Sequence, residues 1–386
     1  MKKEFSHHLI AIAVTCLFSA ALLFLPDPPA MNKGDFSVCR ARVISVDDSA
    51  VELHGLLKFG SQRLEVEILS GKHTGRKFRA NNELRAQMEL DKEFKVNDII
   101  TVNMPGTDPE PDTVLQARDH HRSFWIWSLG AVFCVFLIIF GSWVGIKAIL
   151  SFIFSFIVIW KALIPASLAG WAPEAVIALT AAILTFAIIF LVAGFTRKGT
   201  AAFLGAMAGV LTGLVLSSLF TQLIKINGAV MPYCQTLYYS GYDFLNLQRL
   251  FAGTLILGAS GAVMDLAMDI ASGIEEVVRH NPTLPRRELI RSGMRMGRSV
   301  VGTMTTTLLL AYSAGFLTLL MMFRVEGHSP LSLLDNPLVA SEAVKTLIGS
   351  FALVLTAPLT AVISGIIYSK FRPKNFGENV KKEDLS

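Results

Sequence analysis

Two aspartates interrupt an otherwise apolar stretch of the chain. Asp265 and Asp269 lie in a run of small and aliphatic residues between Gly258 and Ser272. A carboxylate deep in a bilayer costs at least about 2.5–3.5 kcal/mol on insertion scales, so its presence needs a reason. Carboxylates at that depth carry protons or ions in pumps and transporters, although one could also serve as a hydrogen bond between two helices. We therefore predict a proton or ion site at Asp265, with helix packing as the alternative.

Helical spacing places these aspartates on the same side as two glycines. Gly258, Gly261, Asp265 and Asp269 follow each other at intervals of three and four residues, so they share one helix face. Small residues on a membrane helix let another helix approach closely. We predict that Gly258 and Gly261 are helix-packing residues and that this face is buried against another helix.

A second polar helix follows in the sequence. Arg298 is the last cation before an apolar run that contains Thr305 and Thr306, seven and eight residues later. The hydroxyls of Thr303, Thr305, Thr306 and Thr307 could line a polar path, or they could bond to their own helix backbone, which is harmless. Arg298 itself could be one more cation that fixes topology, but it lies a turn closer to the apolar run than its neighbours. The charged residues between 269 and 298 predict a short amphipathic helix that links two spans.

The elements that position these residues are membrane helices. Of the 386 residues, 52% are hydrophobic and 17% are charged, and the mean hydropathy is +0.52. The apolar residues fall into runs of about 20, the length of a transmembrane helix. This pattern excludes a soluble enzyme, a nucleic-acid-binding protein, a disordered chain and an outer-membrane barrel. After a first span over residues 1–25, which we interpret as an uncleaved signal anchor, the spans are expected at about 124–142, 145–165, 175–195, 201–223, 250–272, 299–322 and 343–369.

Residues 26–122 differ in kind from the rest. They are polar, and short β-branched stretches at 38–46, 63–69, 76–80 and 99–102 predict strands. Turn signals at 70–71 and 74–75 separate two of these strands. So many short strands in fewer than about 100 residues indicate a small β-barrel of the OB type. Aromatic residues are sparse on the strands, so a structural or partner-docking role is favoured over nucleic-acid or sugar binding.

The whole chain is thus expected to be an all-α polytopic transmembrane bundle of about eight helices with one small extracytoplasmic barrel-like domain. Residues 123–370 hold about seven of the helices, and residues 371–386 form a tail. Lysine and arginine concentrate in the loops of one side, which predicts that both termini are cytoplasmic and that residues 26–122 lie outside the inner membrane of a bacterium. The cations on that side are Lys2, Lys3, Arg197, Lys198, Arg279, Arg286, Arg287, Arg291, Arg295, Arg298, Lys370, Arg372 and Lys374.

Neither a metal, nor a cofactor, nor an enzymatic activity is expected. The four cysteines show no CxxC spacing, and no GxSxG, Walker or intramembrane His/Glu motif is present. Cys39 and Cys234 both lie outside in the expected topology, so a disulfide is permitted by compartment, but we do not expect one.

Several stretches resemble the YibE/F family of bacterial membrane proteins. They are residues 163–165, 194–201 with the sequence Gly-Phe-Thr-Arg-Lys-Gly-Thr-Ala, 258–276 and 291–307. Residues 69–102 are similar to the extracytoplasmic domain of that family. The resemblance covers nearly the whole chain and implies a membrane protein whose biochemical activity is poorly defined.

A more distant resemblance bears on mechanism. Gly261-x-x-x-Asp265-x-Ala is similar to the aspartate-bearing helix of the resistance-nodulation-division superfamily, which includes SecD and SecF, and Arg298 with its two threonines is similar to the SecF pattern. The resemblance implies that Asp265 accepts the proton, that Arg298 is its electrostatic partner and that Thr305 and Thr306 line the path. The chain departs from that superfamily in having two extra spans, a far smaller external domain and one half of the paired repeat. Either a homodimer or the chain's own spans at 124–165 would then have to cover the Asp265 face.

Two functions remain open. The first is a transporter, or a machine that assists transport, driven by proton flow through a relay of Asp265, Asp269, Arg298, Thr305 and Thr306. The second is a non-catalytic scaffold or assembly factor whose external domain docks an extracytoplasmic protein. The expected partners are the lipid bilayer, a second copy of the chain and that external protein, and none is a nucleic acid.

Overall fold

The computed structural model describes residues 2–24, 36–88, 90–106, 108–110, 112–327 and 329–370. It divides into two compact units, Pro29–Ile139 on the one hand and Met1–Pro28 with Phe140–Ser386 on the other. Each has a hydrophobic core of its own. The predicted tail at 371–386, with Arg372 and Lys374, lies outside the described residues.

The smaller unit contains a closed five-stranded barrel. Its strands are β1 (Phe36–His54), β2 (Leu57–Ile68), β3 (Lys77–Arg85), β4 (Ile99–Pro105) and β5 (Val114–His120). They close in the order β1-β2-β3-β5-β4, with β3 and β5 parallel and the other neighbours antiparallel. The predicted small barrel is confirmed, and a five-stranded barrel is the architecture of the OB type. The sequence missed β5, because the run Val-Leu-Gln-Ala-Arg-Asp-His is half polar.

Alternation of side chains builds the core of the barrel. Along β3, Phe78, Ala80, Asn82 and Leu84 are buried while the residues between them are not, as expected for a strand with one face inward. Gly71 and Gly75, both at positive φ, lie between β2 and β3. The turn between β2 and β3 therefore lies at the predicted position.

The second unit is helical, and α2 joins the two units. The helices are α1 (Lys2–Leu23), α2 (Ser123–Val158), α3 (Ile164–Leu168), α4 (Pro173–Ala193), α5 (Arg197–Leu223), α6 (Cys234–Tyr239), α7 (Leu247–His280), α8 (Arg286–Gly315), α9 (Leu317–Val325), α10 (Pro330–Leu333) and α11 (Pro337–Lys370). Ser142 breaks α2 with φ 47° and ψ −123°. A π-helical stretch, Ile159–Leu163, connects α2 to α3.

Among the described residues, five helices are long and apolar enough to cross a membrane, or six if the bent pair α8 and α9 counts as one span. The bend between these two helices is 63°. This count is lower than the predicted number of about eight membrane-spanning helices for two reasons. The expected spans at 124–142 and 145–165 join into one helical segment, Ser123–Leu168, and the apolar part of α1 is only Ala11–Leu23.

Helices α5, α7, α8 and α11 form the core of the bundle, and α4 packs against α5 and α7. A glycine ladder on α5 lets α11 approach closely, because Gly205, Gly209 and Gly213 face Thr360, Thr356 and Ala352 in turn. Small residues at four-residue intervals are a frequent packing device of membrane helices. This ladder was not predicted from the sequence.

The linker between the two polar helices differs from the prediction. Helix α7 continues to His280 and α8 begins at Arg286, so the expected short linker helix does not exist as a separate element. Glu275, Glu276 and Arg279 instead form the last turns of α7. The two spans are longer than their apolar stretches because charged residues extend both helices beyond them.

Candidate functional site

The two aspartates lie on α7, which the core holds along most of its length. Asn246 caps the helix by accepting a hydrogen bond from the Arg249 amide at 3.0 Å. The opposite side of α7 is fully buried, with Val263, Ala267 and Ala271 in the main core. The position of the aspartates is therefore fixed by the packing of the apolar side of their own helix.

The aspartate face itself is exposed within the single chain. Gly258, Gly261, Asp265 and Asp269 are all exposed, although the Tyr312 hydroxyl of α8 lies beside Gly258. The four residues share one face, as their spacing predicts, but the core covers the second and more apolar side of α7. That the face with the aspartates is buried against another helix stays a prediction.

Helix α8 runs antiparallel beside α7. The side chain of Met296 fills the space over Gly273, and the Tyr312 hydroxyl lies 3.1 Å from where a Cβ on Gly258 would be. Asp265 is eight residues from Gly273, so it lies level with residues 303–305 of α8. The structure thus brings the threonine-rich part of α8 to the height of Asp265.

Arg298 is not beside Asp265. It follows Met296, which faces α7, by two residues, and therefore points to nearly the opposite side of α8, about 200° around the axis. It is also about 9 Å away from Asp265 along the bundle by helical rise. Arg298 is exposed, and no ion pair joins it to Asp265 among the residues described.

The threonine hydroxyls of α8 are bonded to their own helix. Thr305 donates to the carbonyls of Val301 and Gly302 at 2.9 and 3.0 Å, and Thr306 donates to the carbonyl of Gly302 at 3.0 Å. Each hydroxyl oxygen can still accept a hydrogen bond. Thr303, seven residues from Met296, lies on the side of Met296 and is exposed, whereas Thr305, seven residues from Tyr312, lies on the side of Tyr312 and is half-buried. Because Met296 and Tyr312 both face α7, each threonine lies on a side of α8 that contacts α7.

A second group of charges that the sequence analysis missed lies on α11. Lys345 Nζ is 2.6 Å from Glu342 Oε1, and both side chains are three-quarters buried. The same ammonium stands 5.9 Å from the ring centroid of Phe251. Lys345 lies inside the expected span 343–369, so a cation in an apolar run was the available signal.

A third cluster joins three helices at the other end of the bundle. Glu275 of α7 binds Lys198 of α5 at 3.3 Å and accepts a hydrogen bond from the Tyr368 hydroxyl of α11 at 3.2 Å. Thr196 caps α5 just before Lys198 by accepting from the Gly199 amide at 3.1 Å. These contacts tie α5, α7 and α11 together beyond the apolar core.

On the barrel, the outer face of the first three strands carries opposite charges in register. Glu65 pairs with Arg79 and Asp47 pairs with Arg63, and directly opposed charges of unlike sign stabilise a sheet. A hydrogen bond from the Ser49 side chain lowers the pKa of Asp47. Because acids and bases alternate, this face offers no uniform field to a highly charged ligand.

The cysteines form neither a disulfide nor a metal-binding group in the part of the chain that the structure describes. All four are free thiols, and no three His, Cys, Asp or Glu side chains of the described residues converge as a metal site. Cys234 lies between spans and is buried, and desolvation raises the pKa of its thiol. That thiol is therefore a poor nucleophile at neutral pH.

Comparison with known proteins gives one family. A family model described as YibE/F-like protein matches residues 129–370. No curated protein and no solved structure matches the chain. The matched residues contain α7, α8 and both aspartates, whereas the barrel precedes them. The resemblance to SecD and SecF is not supported by these matches and stays a hypothesis.

Proposed function

The chain belongs to the YibE/F-like family, and we propose that this membrane protein is a transporter, or a transport-assisting machine, driven by the proton-motive force. Asp265 is the proton-accepting group in this proposal. Asp269, one turn away on the same face, contributes a second carboxylate that repels a charge on the first.

The observation that carries the proposal is the setting of Asp265. It lies within a helix apolar enough to cross a membrane, yet its side chain is exposed and has neither an ion pair nor a hydrogen bond among the described residues. A carboxylate that only joins two helices would be buried and bonded. An accessible carboxylate at that position suits exchange of a proton with water or substrate.

Arg298 and the threonines act through movement of α8 in this proposal. Rotation and sliding of α8 along α7 would bring Arg298 towards the acids, and Thr305 and Thr306 would then turn relative to Asp265. A cation beside Asp265 favours the ionised carboxylate, and its departure favours the protonated one. Alternation between two such positions would load and release a proton.

The topology of the proposal has eight spans. The segment Ser123–Leu168 contains 46 residues, about 69 Å of helix by the rise per residue, which is more than twice a hydrocarbon core of about 30 Å. We therefore divide it at Ser142 into two spans. With α1 crossing as well, both termini are cytoplasmic, the barrel is extracytoplasmic and the protein lies in the inner membrane of a bacterium.

The test is complementation of a deletion strain. Metal and drug sensitivities of the strain would be screened first, and the phenotype found would be complemented with Asp265→Asn and with the control Asp335→Asn, an acid outside the expected spans. We expect Asp265→Asn to fail at normal membrane abundance and the control to complement. Full complementation by Asp265→Asn would refute the relay.

A second candidate function is the scaffold, and the closed external barrel favours it. A folded domain of this kind is suited to docking an extracytoplasmic protein. In that case Asp265→Asn would complement while a deletion of residues 36–120 would not.

A further inference from the structure

Apolar side chains protrude from one hairpin of the barrel. Leu53, Leu56 and Phe59 are 66%, 93% and 42% exposed at the tip of the β1–β2 hairpin. Gly55, at φ +66°, forms the turn with Leu56. Exposed hairpin turns are ordinarily polar or glycine-rich, so three large apolar residues here need an explanation.

The apolar residues lie on both sides of the hairpin. Leu53 pairs with Lys58, whereas Phe59 pairs with Glu52, and neighbouring positions along a strand point to opposite faces. Leu53 and Phe59 therefore stand on opposite faces, with Leu56 between them at the turn. Each face also carries a charged residue, Lys58 beside Leu53 and Glu52 beside Phe59. A tip that exposes apolar and charged side chains on both faces suits the lipid headgroup region better than it suits contact with one flat apolar surface.

The same end of the barrel carries a further exposed apolar residue. Ala86, which follows β3, donates its amide to the Lys58 carbonyl at 3.2 Å, so the loop after β3 begins beside the hairpin. Met88 in this loop is 79% exposed. The apolar surface thus extends from the hairpin to the adjacent loop.

This end of the barrel is also the one at which the chain leaves for the membrane. Lys58 binds Glu93 at 2.7 Å, and Lys92, the residue before Glu93, binds Asp119 at 3.1 Å. Asp119 in turn binds Arg122 at 3.3 Å. These contacts lead from the hairpin directly to the residue that precedes α2.

The first turns of α2 have the composition of a membrane interface. Phe124, Trp125 and Trp127 are 64%, 74% and 78% exposed, and tryptophan is enriched at the headgroup level of membrane helices. Trp125 is three residues from Arg122, about 4.5 Å of helix. The barrel end with the hairpin is therefore close to the headgroups if α2 crosses the bilayer.

We propose that the β1–β2 hairpin tip, with Leu53, Leu56 and Phe59, inserts into the lipid headgroup region and anchors the barrel on the bilayer. The occupant of this surface is lipid, because the tip exposes apolar side chains on both faces and α2 holds it next to the bilayer at high effective concentration. This anchor does not depend on the proton relay at Asp265.

The test is a depth measurement on the full chain in nanodiscs. In a variant without its native cysteines, Leu56→Cys would carry a fluorescent label, and lipids with a nitroxide near the headgroup would serve as quencher. Lys72→Cys, exposed in the β2–β3 turn at the other end of the barrel, is the control. We expect quenching several-fold stronger at position 56 than at position 72.

Equal quenching at the two positions would overturn the proposal. Protection of the label at position 56 in native membranes but not in nanodiscs would also overturn it, since that result indicates a protein partner. As a second measurement, the pair Leu53→Asp and Leu56→Asp should make the barrel several-fold more sensitive to protease in nanodiscs but not in detergent. The same sensitivity in both media would indicate a folding defect and contradict the lipid anchor.

Discussion

Gly205 of α5 and Thr360 of α11 meet so closely that a Cβ on the glycine would lie 2.8 Å from the Cβ of the threonine. Gly213 and Ala352 repeat this arrangement two turns away, also at 2.8 Å. The two helices can approach to this distance only because the glycines have no side chain. This contact lies in the core that also holds α7, so the position of Asp265 depends on it.

Gly205→Leu should therefore destabilise the bundle. Overpacking of a tight core typically costs about 1–3 kcal/mol, and the neighbouring atom here is a branched side chain next to the backbone of α11. Gly130→Leu is the matched control, because a Cβ on Gly130 meets nothing within 4 Å. Thermal stability in detergent, monitored by size-exclusion chromatography, should fall for Gly205→Leu but not for Gly130→Leu. Equal melting of the two variants would contradict the close packing.

The sequence predicted the helices and strands of this protein better than it predicted which of them pack against each other. Apolar runs and β-branched stretches located the barrel and most helices, because both signals are local. Which side of α7 is buried depends on the glycine ladder of α5 and on α11, and neither enters a spacing argument within α7. The distance between Arg298 and Asp265 could not be predicted for the same reason, because it depends on the register of two helices rather than on either sequence alone.

Inside the barrel, Gln62 and Asn82 form a buried polar pair. The Gln62 carbonyl oxygen accepts from Asn82 Nδ2 at 2.9 Å and from the Phe94 amide at 3.0 Å. Gln62→Leu would leave the Phe94 amide and one hydrogen of the Asn82 side-chain amide unsatisfied, which costs about 1–3 kcal/mol. With Cys39 as the sole cysteine, buried in the same core, maleimide labelling of Cys39 should accelerate at least several-fold. The exposed Gln116→Leu should leave the labelling rate unchanged, and no difference between the variants would exclude a stabilising role of the pair.

Glu342 and Lys345 should stabilise the protein only when both charges are present. Lys345→Met leaves a largely buried carboxylate without its cation, and an unpaired buried charged group costs at least about 1–3 kcal/mol. Adding Glu342→Gln removes that charge, so the double variant should recover much of the lost stability. Membrane abundance and detergent melting of the two single variants and the double variant measure this. A double variant that is less stable than Lys345→Met would show that the pair has another role.

The threonines of α8 lie on different sides of the helix. Thr305 is seven residues from Tyr312, which faces α7, and is half-buried, whereas Thr303 is exposed. If the proton relay operates in this arrangement, Thr305→Val should reduce complementation more than Thr303→Val at equal abundance. Valine keeps the shape and removes the hydroxyl in both variants, so each serves as the control of the other. A larger loss at Thr303 would instead support a path along the side of Met296.

The face with Asp265 is exposed within the single chain, and we propose that a second copy of the chain shields it from lipid while Asp265 keeps access to water. The alternative was the chain's own segment at 124–165, but two residues of its second half, Phe154 and Val158, pack elsewhere, in a cluster with Leu22 and Leu184. Leaving two carboxylates towards lipid would be costly, and glycines at 258 and 261 allow another helix to come close.

Gly261→Cys tests this assembly, because a two-fold axis near that face brings the same residue of two copies together. We expect oxidative cross-linking of Gly261→Cys in native membranes, in a variant without other cysteines. Val215→Cys, which is 67% exposed on α5, should not cross-link. The aspartates would face each other across the axis, so Asp265→Asn should strengthen the dimer by removing repulsion between them. A protein that remains monomeric in membranes with either cysteine would assign the cover to a different protein or to water.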